Sequence, residues 1–445
     1  MKAVDNLMFN WPVDNSTPFK TGESYNGGVG HGLVFTDVLD RLYQLTGDRK
    51  YEEYALFLYR DYSKWRQWEQ DAQLGNILDA GYKLKCHGVH TYEHLRPVAV
   101  AAGVSSDPEM KRALNVYLEK IHSTTTATGG AVGDEWIGGR TADATGTGYE
   151  FCSSHELMDS YGMLMQRTGN PAWGEQIENI FYNAALGAKH PGHTYIAYLK
   201  TDNSYDMTGR RNGDADPDKN QTRYKYSPAH QDAAVCCVPN AGRIIPYFLQ
   251  NAWMVDGDGA LVANVLMPSL LDTGLGGKRV EVETVTSYPY GNTFDFKVRS
   301  EGAVTLKIRI PSWALKVDCN VPYEEKDGYV VVSGDFSAGK TVTVSFGAEV
   351  RVVESPEGEH YYAYGAGFYA CPIKSVESKG REYAPGYSDY YYTAAEDAGI
   401  YRYAGGKAEY RDGKITVTLR NTKTGSLDTV ELVPFGRTVL RQAAF

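Results

Sequence analysis

The chain of 445 residues has few cysteines, no surplus of positive charge and no long apolar run, and each shortage removes a class of protein. Its six cysteines, Cys86, Cys152, Cys236, Cys237, Cys319 and Cys371, are too sparse for a disulfide framework, which is dense in a short secreted chain. A net charge of −10 opposes a nucleic-acid groove or an anionic membrane surface, so neither is expected as a partner. No segment approaches the roughly 20 apolar residues that a membrane-spanning helix needs. The opening stretch MKAVDNLMFNWPVDNST holds neither an apolar run of signal-peptide length nor a small-residue cleavage site. The expectation is a cytoplasmic protein or, if its N-terminus has been removed, a periplasmic one.

Aromatic residues are plentiful instead: 34 Tyr stand beside 7 Trp and 14 Phe. Tyrosine joins an apolar face to a hydroxyl, which suits sugar rings as well as protein interfaces. The length predicts two or three domains.

Up to about residue 255 the sequence reads as paired helices. Val38, Leu39, Leu42, Tyr43 and Leu45 recur at helical spacing, Thr46-Gly47-Asp48 stops the run, and Asp48 can cap a partner helix marked by Tyr51, Tyr54, Ala55 and Leu58. The punctuation returns at Ser106-Asp107-Pro108, which opens a helix with inner face Met110, Ala113, Leu114, Tyr117, Leu118 and Ile121. It returns again at Thr168-Gly169-Asn170-Pro171, ahead of Trp173, Ile177, Ile180, Phe181 and Ala184. Repeated hairpins of this length stack as a solenoid or close into a barrel, and spacing alone does not choose.

After Met254 the period becomes alternating, as in Val304, Leu306, Ile308 and Ile310 and in Val342, Val344 and Phe346. This predicts a β-sandwich ending near Val353. Further strands at 361–364, 415–419 and 430–433 predict a second small β-module, whose cluster Tyr387, Tyr390, Tyr391 and Tyr392 is placed to pack on the helices or line a cleft. An exposed aromatic module of this kind is compatible with a homodimer.

The sharpest local feature is Cys236-Cys237-Val238-Pro239-Asn240, followed by Arg243. Adjacent thiols at a helix start fit either a metal site or two buried small hydrophobes. Glu150-Phe151-Cys152 adds a carboxylate and a third sulfur, which together make the ligand number of a closed tetrahedral zinc site. Glu135 follows the loop Thr128-Gly129-Gly130 and has Asp134 beside it as a rival acid; either is also compatible with a solvated loop carboxylate. His87, His90 and His94 recur at helical spacing, a pattern shared by sugar contacts, structural packing and a second metal pair at His90 and His94.

Taken together, CCVPNAGR, the Glu-x-Cys motif and the Gly129-Gly130 loop with Glu135 resemble the β-L-arabinofuranosidase family, glycoside hydrolase family 127. The likeness runs from about Asn26 to Arg309-Ile310-Pro311-Ser312-Trp313. It implies a multidomain protein in which an (α/α)6 toroid-type helical barrel over 1–255, short of its first helices, carries the catalysis. A β-sandwich follows over 256–354 and a second small β-rich module over 355–445. By resemblance Cys236 is the nucleophile of a retaining glycosidase and also a Zn2+ ligand, with Glu150, Cys152 and Cys237 as the other ligands and Glu135 as general acid/base. His31, His87 and His90 match positions that hold sugar hydroxyls, and Tyr205 matches a substrate tyrosine.

The implied substrate is an oligosaccharide or glycan ending in β-L-arabinofuranose or a related plant-wall sugar. The family's arabinofuranosidase type has one more cysteine where Ala234 stands here, which leaves the sugar open, and Arg210, Arg211 and Arg223 are candidates for an acidic one. Two rival readings stay open: a non-catalytic carbohydrate-binding protein with a structural zinc, and a polysaccharide lyase.

Overall fold

The computed structural model describes residues 1–20, 27–213, 222–230 and 236–445, and shows helices followed by mainly antiparallel sheets, a multidomain protein of mixed α and β structure. Among the described residues no helix is long and apolar enough to cross a membrane. Two compact units emerge: Met1–Thr125 with Ala131–Ala142, and Thr126–Gly130 with Asp143–Phe445.

The first unit is helical, and its sequence punctuation works as expected. Helix Phe35–Thr46 ends at Gly47, whose left-handed φ of 69° lets its N–H reach the Tyr43 carbonyl. Asp48 Oδ1 then accepts from the Lys50 N–H to start helix Lys50–Lys64. Leu39 is fully buried, whereas Val38 and Leu45, which the spacing assigns to the same apolar face, lie exposed.

Asp107 caps helix Pro108–Ser123 by accepting from the Glu109 N–H, and Met110, Ala113, Tyr117 and Ile121 are buried beneath it. The Tyr92 hydroxyl donates to the Val132 carbonyl, fixing the returning segment Ala131–Ala142 on this core. Asp71 gathers donors from Tyr82, Thr91 and the backbone of Lys85 and Cys86, which sets the turn that presents His87.

The second unit carries helices Phe151–Thr168, Ala172–Asn179 and Cys237–Leu249, with a π-helical segment Ile180–Ala185 continuing the second of them. Phe181 stacks on Phe248 at 3.8 Å between centroids. The alternating segments then form two five-stranded sheets. One runs Lys316–Cys319, Lys340–Gly347, Thr293–Ser300, Lys278–Thr286 and Ser269–Leu275; the other runs Glu324–Lys326, Tyr329–Asp335, Ala303–Arg309, Leu261–Ala263 and Trp253–Val255. Trp253 of the second meets Phe296 of the first edge to face, and Leu306, Ile308, Val342 and Val344 are fully buried, so the pair is a sandwich.

Strand Val350–Glu354 pairs with His360–Tyr364 and so opens the next sheet, of eight strands. In a further sheet, Tyr387–Ala394 pairs with Tyr226–Ser227 and with Asp206–Met207, so the tyrosine cluster interlocks with the segment that precedes helix Cys237–Leu249. The joint is finished by Arg441. Fully buried, it donates to the carbonyls of Gly187, Thr201 and Asp202 and to the Tyr149 hydroxyl, and lies 3.6 Å over the Phe435 ring.

A buried ion pair ties helix Ala172–Asn179 to the sandwich. The Arg309 guanidinium meets Glu178, which also accepts from the Tyr288 hydroxyl at 2.5 Å and the Leu266 N–H at 2.6 Å. Removing one partner strands a buried charge, so Arg309→Met is expected to cost about 3–5 kcal/mol of unfolding free energy in urea titration. The double change with Glu178→Leu should cost less than the single one, its remaining penalty coming from the Tyr288 hydroxyl and Leu266 N–H that lose their acceptor.

Candidate metal and catalytic site

In the second unit the strand Tyr149–Glu150 pairs antiparallel with Leu199–Lys200, and helix Phe151–Thr168 begins immediately after it. Glu150 therefore stands at a helix start, with Cys152 in the first turn. Cys236 directly precedes helix Cys237–Leu249. All three thiols thus sit at helix N-termini, where unpaired N–H groups and the macrodipole favour negative charge.

The ligand atoms of Glu150, Cys152, Cys236 and Cys237 all lie within 4.8 Å of one another. Glu150 Oε1 is 3.6 Å from Cys236 Sγ and 3.4 Å from Cys237 Sγ, and the Cys152 and Cys237 sulfurs are 3.1 Å apart. A tetrahedral zinc with ordinary bond lengths spaces such atoms by about 3.5–3.8 Å, so the carboxylate is in place and two sulfurs would spread by roughly half an ångström. Glu150, Cys152 and Cys237 are buried and Cys236 is exposed, so three ligands anchor and one faces outward.

Hydrogen bonds from Cys152, then Cys237 and Tyr198, draw the Cys236 thiol well below its ordinary value. Cys152 is pushed up through its bond to Cys236, and Cys237 by burial. Chemically, the donor set of three sulfurs and one oxygen fits a divalent cation that takes the place of the shared protons.

Asn240 and Arg243 brace this cluster: Asn240 Nδ2 donates to Cys152 Sγ at 3.0 Å, and Arg243 donates to Asn240 Oδ1 at 2.7 Å. Tyr198 was not singled out in the sequence, yet its hydroxyl is 3.0 Å from Cys236 Sγ. The Arg223 guanidinium lies 4.4 Å over its ring, which puts that arginine nearer the cysteines than a motif alone could tell. Tyr205 places its N–H on Asn212 Oδ1 and its hydroxyl beside Thr145, while Ala234 and Asn26 fall outside the described residues.

Tyr198 could have been found only through strand pairing. It adjoins the strand partner of Glu150, and its carbonyl accepts from the Phe151 N–H.

In the first unit the rings of His31, His87 and His90 lie together. The His31 and His90 rings meet edge to face at 3.7 Å between centroids, and His87 lies 4.6 Å from His90. Each has a carboxylate partner: Glu93 for His31 at 3.6 Å, Glu69 for His90 at 3.1 Å, and Glu135 for His87 at 2.9 Å. The hydrogen bond to Glu93 raises the His31 imidazole above its ordinary value.

His94 is fully buried and its imidazole is lowered by burial, so it belongs to the core rather than to a metal pair with His90. His31, His90 and Glu93 instead bring three possible ligand atoms within 4.8 Å of one another.

Asp134, the rival acid, is buried and bound to the Arg140 guanidinium. Glu135 points the other way, to His87 Nε2, from a backbone with φ of 77°. A left-handed conformation costs a non-glycine residue about 1–3 kcal/mol and concentrates at functional positions. Gly88 N–H donates to the Glu135 carbonyl, and Trp136 packs edge-on to His87 and to Trp68, so the acid sits on an aromatic and imidazole surface.

Residues 8–250 match the family model described as the β-L-arabinofuranosidase, GH127 catalytic domain, and residues 260–348 match the GH127 middle domain. Among solved structures, a GH127 β-arabinofuranosidase aligns with TM-score 0.63 and 18% identity, over 92% of this chain and 66% of its own. A GH127 β-L-arabinofuranosidase from Geobacillus stearothermophilus T6 aligns with TM-score 0.65 and 16% identity, over 97% of this chain and 72% of its own. The chain thus spans about two thirds of the length of the first of these. No curated protein matches it in sequence.

Proposed function

The chain belongs to glycoside hydrolase family 127, and from that premise we propose a retaining glycosidase that removes terminal β-L-arabinofuranose, or a related plant-wall sugar, from a glycan. One observation supports this most: three thiols and a carboxylate converge at two helix starts, with one thiol facing outward. We assign the helical region 1–255 to the (α/α) toroid class, and zinc to the four ligands Glu150, Cys152, Cys236 and Cys237, because sulfur-rich tetrahedral sets select it. A zinc ion bound there keeps the Cys236 sulfur ionised near neutral pH.

The remaining chemistry belongs to side chains. Cys236 Sγ attacks the anomeric carbon while Tyr198, at 3.0 Å, steadies its charge. Glu135 donates its proton to the departing oxygen, leaving the sugar bonded to Cys236. As a carboxylate it then takes a proton from the water that displaces the sulfur, which restores both groups. His87, bonded to Glu135, keeps that carboxyl oriented, and His31 and His90 hold sugar hydroxyls. Tyr205 contributes the substrate tyrosine.

Two measurements test the reading together. Metal analysis should give one zinc per chain, and an activated β-L-arabinofuranoside should be hydrolysed with net retention, followed by proton NMR of the first-formed sugar. An inverted product would sink the double displacement, and an unsaturated product absorbing in the ultraviolet would replace hydrolysis by elimination.

A further inference from the structure

Asp202 lies in neither the metal set nor the sugar face, yet it is fully buried, and burial raises its carboxyl above the ordinary value. Such a group is expensive unless its hydrogen bonds do something. Its carboxylate accepts from the Thr128 hydroxyl at 2.6 Å and from the Tyr361 hydroxyl at 3.1 Å, while its carbonyl accepts from Arg441. Arg441 in turn donates to the hydroxyl of Tyr149, the neighbour of Glu150.

The Thr128 bond grips a tight turn. Within Thr126–Gly130, the Thr126 N–H donates to the Gly130 carbonyl and the Gly130 N–H to Thr126 Oγ1. Outside it, the Ala184 N–H and Asn179 Nδ2 donate to the Thr128 and Ala127 carbonyls. No side chain fits at two of its positions: a Cβ on Gly129 would come within 2.9 Å of Ile180 Cα, and one on Gly130 within 2.4 Å of the Tyr149 ring. The chain leaves this turn at Gly130 and reaches Glu135 five residues later.

We propose that Asp202 is a positioning residue for the acid/base: one carboxylate and its carbonyl couple the turn that leads to Glu135 with the strand that carries Glu150. This rests on the role of Glu135 given above and extends it. A proton donor works only within hydrogen-bond reach of the oxygen it protonates, and a misplacement of about 1 Å can cost on the order of 100-fold. Loosening the turn therefore harms bond cleavage wherever the leaving group needs that proton, and spares substrates whose leaving group departs without it.

The test compares kcat/KM on a methyl and a 2,4-dinitrophenyl β-L-arabinofuranoside for Asp202→Asn and Thr128→Val, with Glu135→Gln as reference. Thr128→Val removes the 2.6 Å bond between the turn and Asp202 and leaves the other bonds of Asp202, including that to Thr126, in place, so it decides the matter if Asp202→Asn does not fold. Both variants should lose about 30- to 100-fold on the methyl glycoside and less than about threefold on the dinitrophenyl one, with zinc content unchanged. Equal losses on the two substrates, or none on either, overturn the positioning role. If Glu135→Gln itself shows no dependence on the leaving group, the acid assignment falls, and the Asp202 role with it.

Discussion

Replacing Cys236 by alanine should abolish turnover, lowering kcat on an activated β-L-arabinofuranoside by about four to six orders of magnitude, the range seen when a covalent nucleophile is deleted. The loss follows from position. Of the four clustered ligands only Cys236 is exposed, and Tyr198 and two neighbouring thiols all favour its ionised form. Cys152 and Cys237 are buried within the cluster, so neither sulfur is presented to a substrate as Cys236 is. Measurement of initial rates against protein of verified fold decides the point. Activity within tenfold of the parent would mean that the sulfurs serve structure only.

The second large effect is expected at Glu135. Glu135→Gln should lower kcat/KM on substrates with poor leaving groups by about 100- to 10,000-fold, because general acid/base assistance contributes that much. The amide keeps the size of the side chain and its contact with His87, so zinc content and fold should not change. Asp134→Asn is the matched comparison. Asp134 is bound to Arg140, and its change should act on stability rather than on the dependence of rate on leaving group. If the two variants behaved alike, the acid would not be Glu135.

How far these residues could be read in the sequence depended on how local their signals are. Helix ends were legible at Gly47 and at Asp107-Pro108, since a cap is decided by a few neighbouring residues. The thiols were legible as a group because two are adjacent and the third is two residues from Glu150. Tyr198 was not, because its approach to Cys236 depends on the pairing of Tyr149–Glu150 with Leu199–Lys200, and register between strands fifty residues apart leaves no mark in either. Val38 and Leu45 fit the helical period and yet lie exposed, since periodicity names a face without saying what covers it.

Asp202 and Arg441 were invisible for a related reason. Each is an ordinary charged residue whose meaning comes from partners up to 292 positions away.

Arg441 also bears on the order in which the molecule can be completed. The carbonyls of Gly187, Thr201 and Asp202 have a donor in a side chain that a ribosome adds more than two hundred residues after them. The segment bearing Glu150 and the thiol pair can form its helices early, but its interior waits for the final strand Leu440–Gln442 to arrive. Nascent chains stalled before that strand should be cut by protease near residues 187–202, and chains released after it should resist.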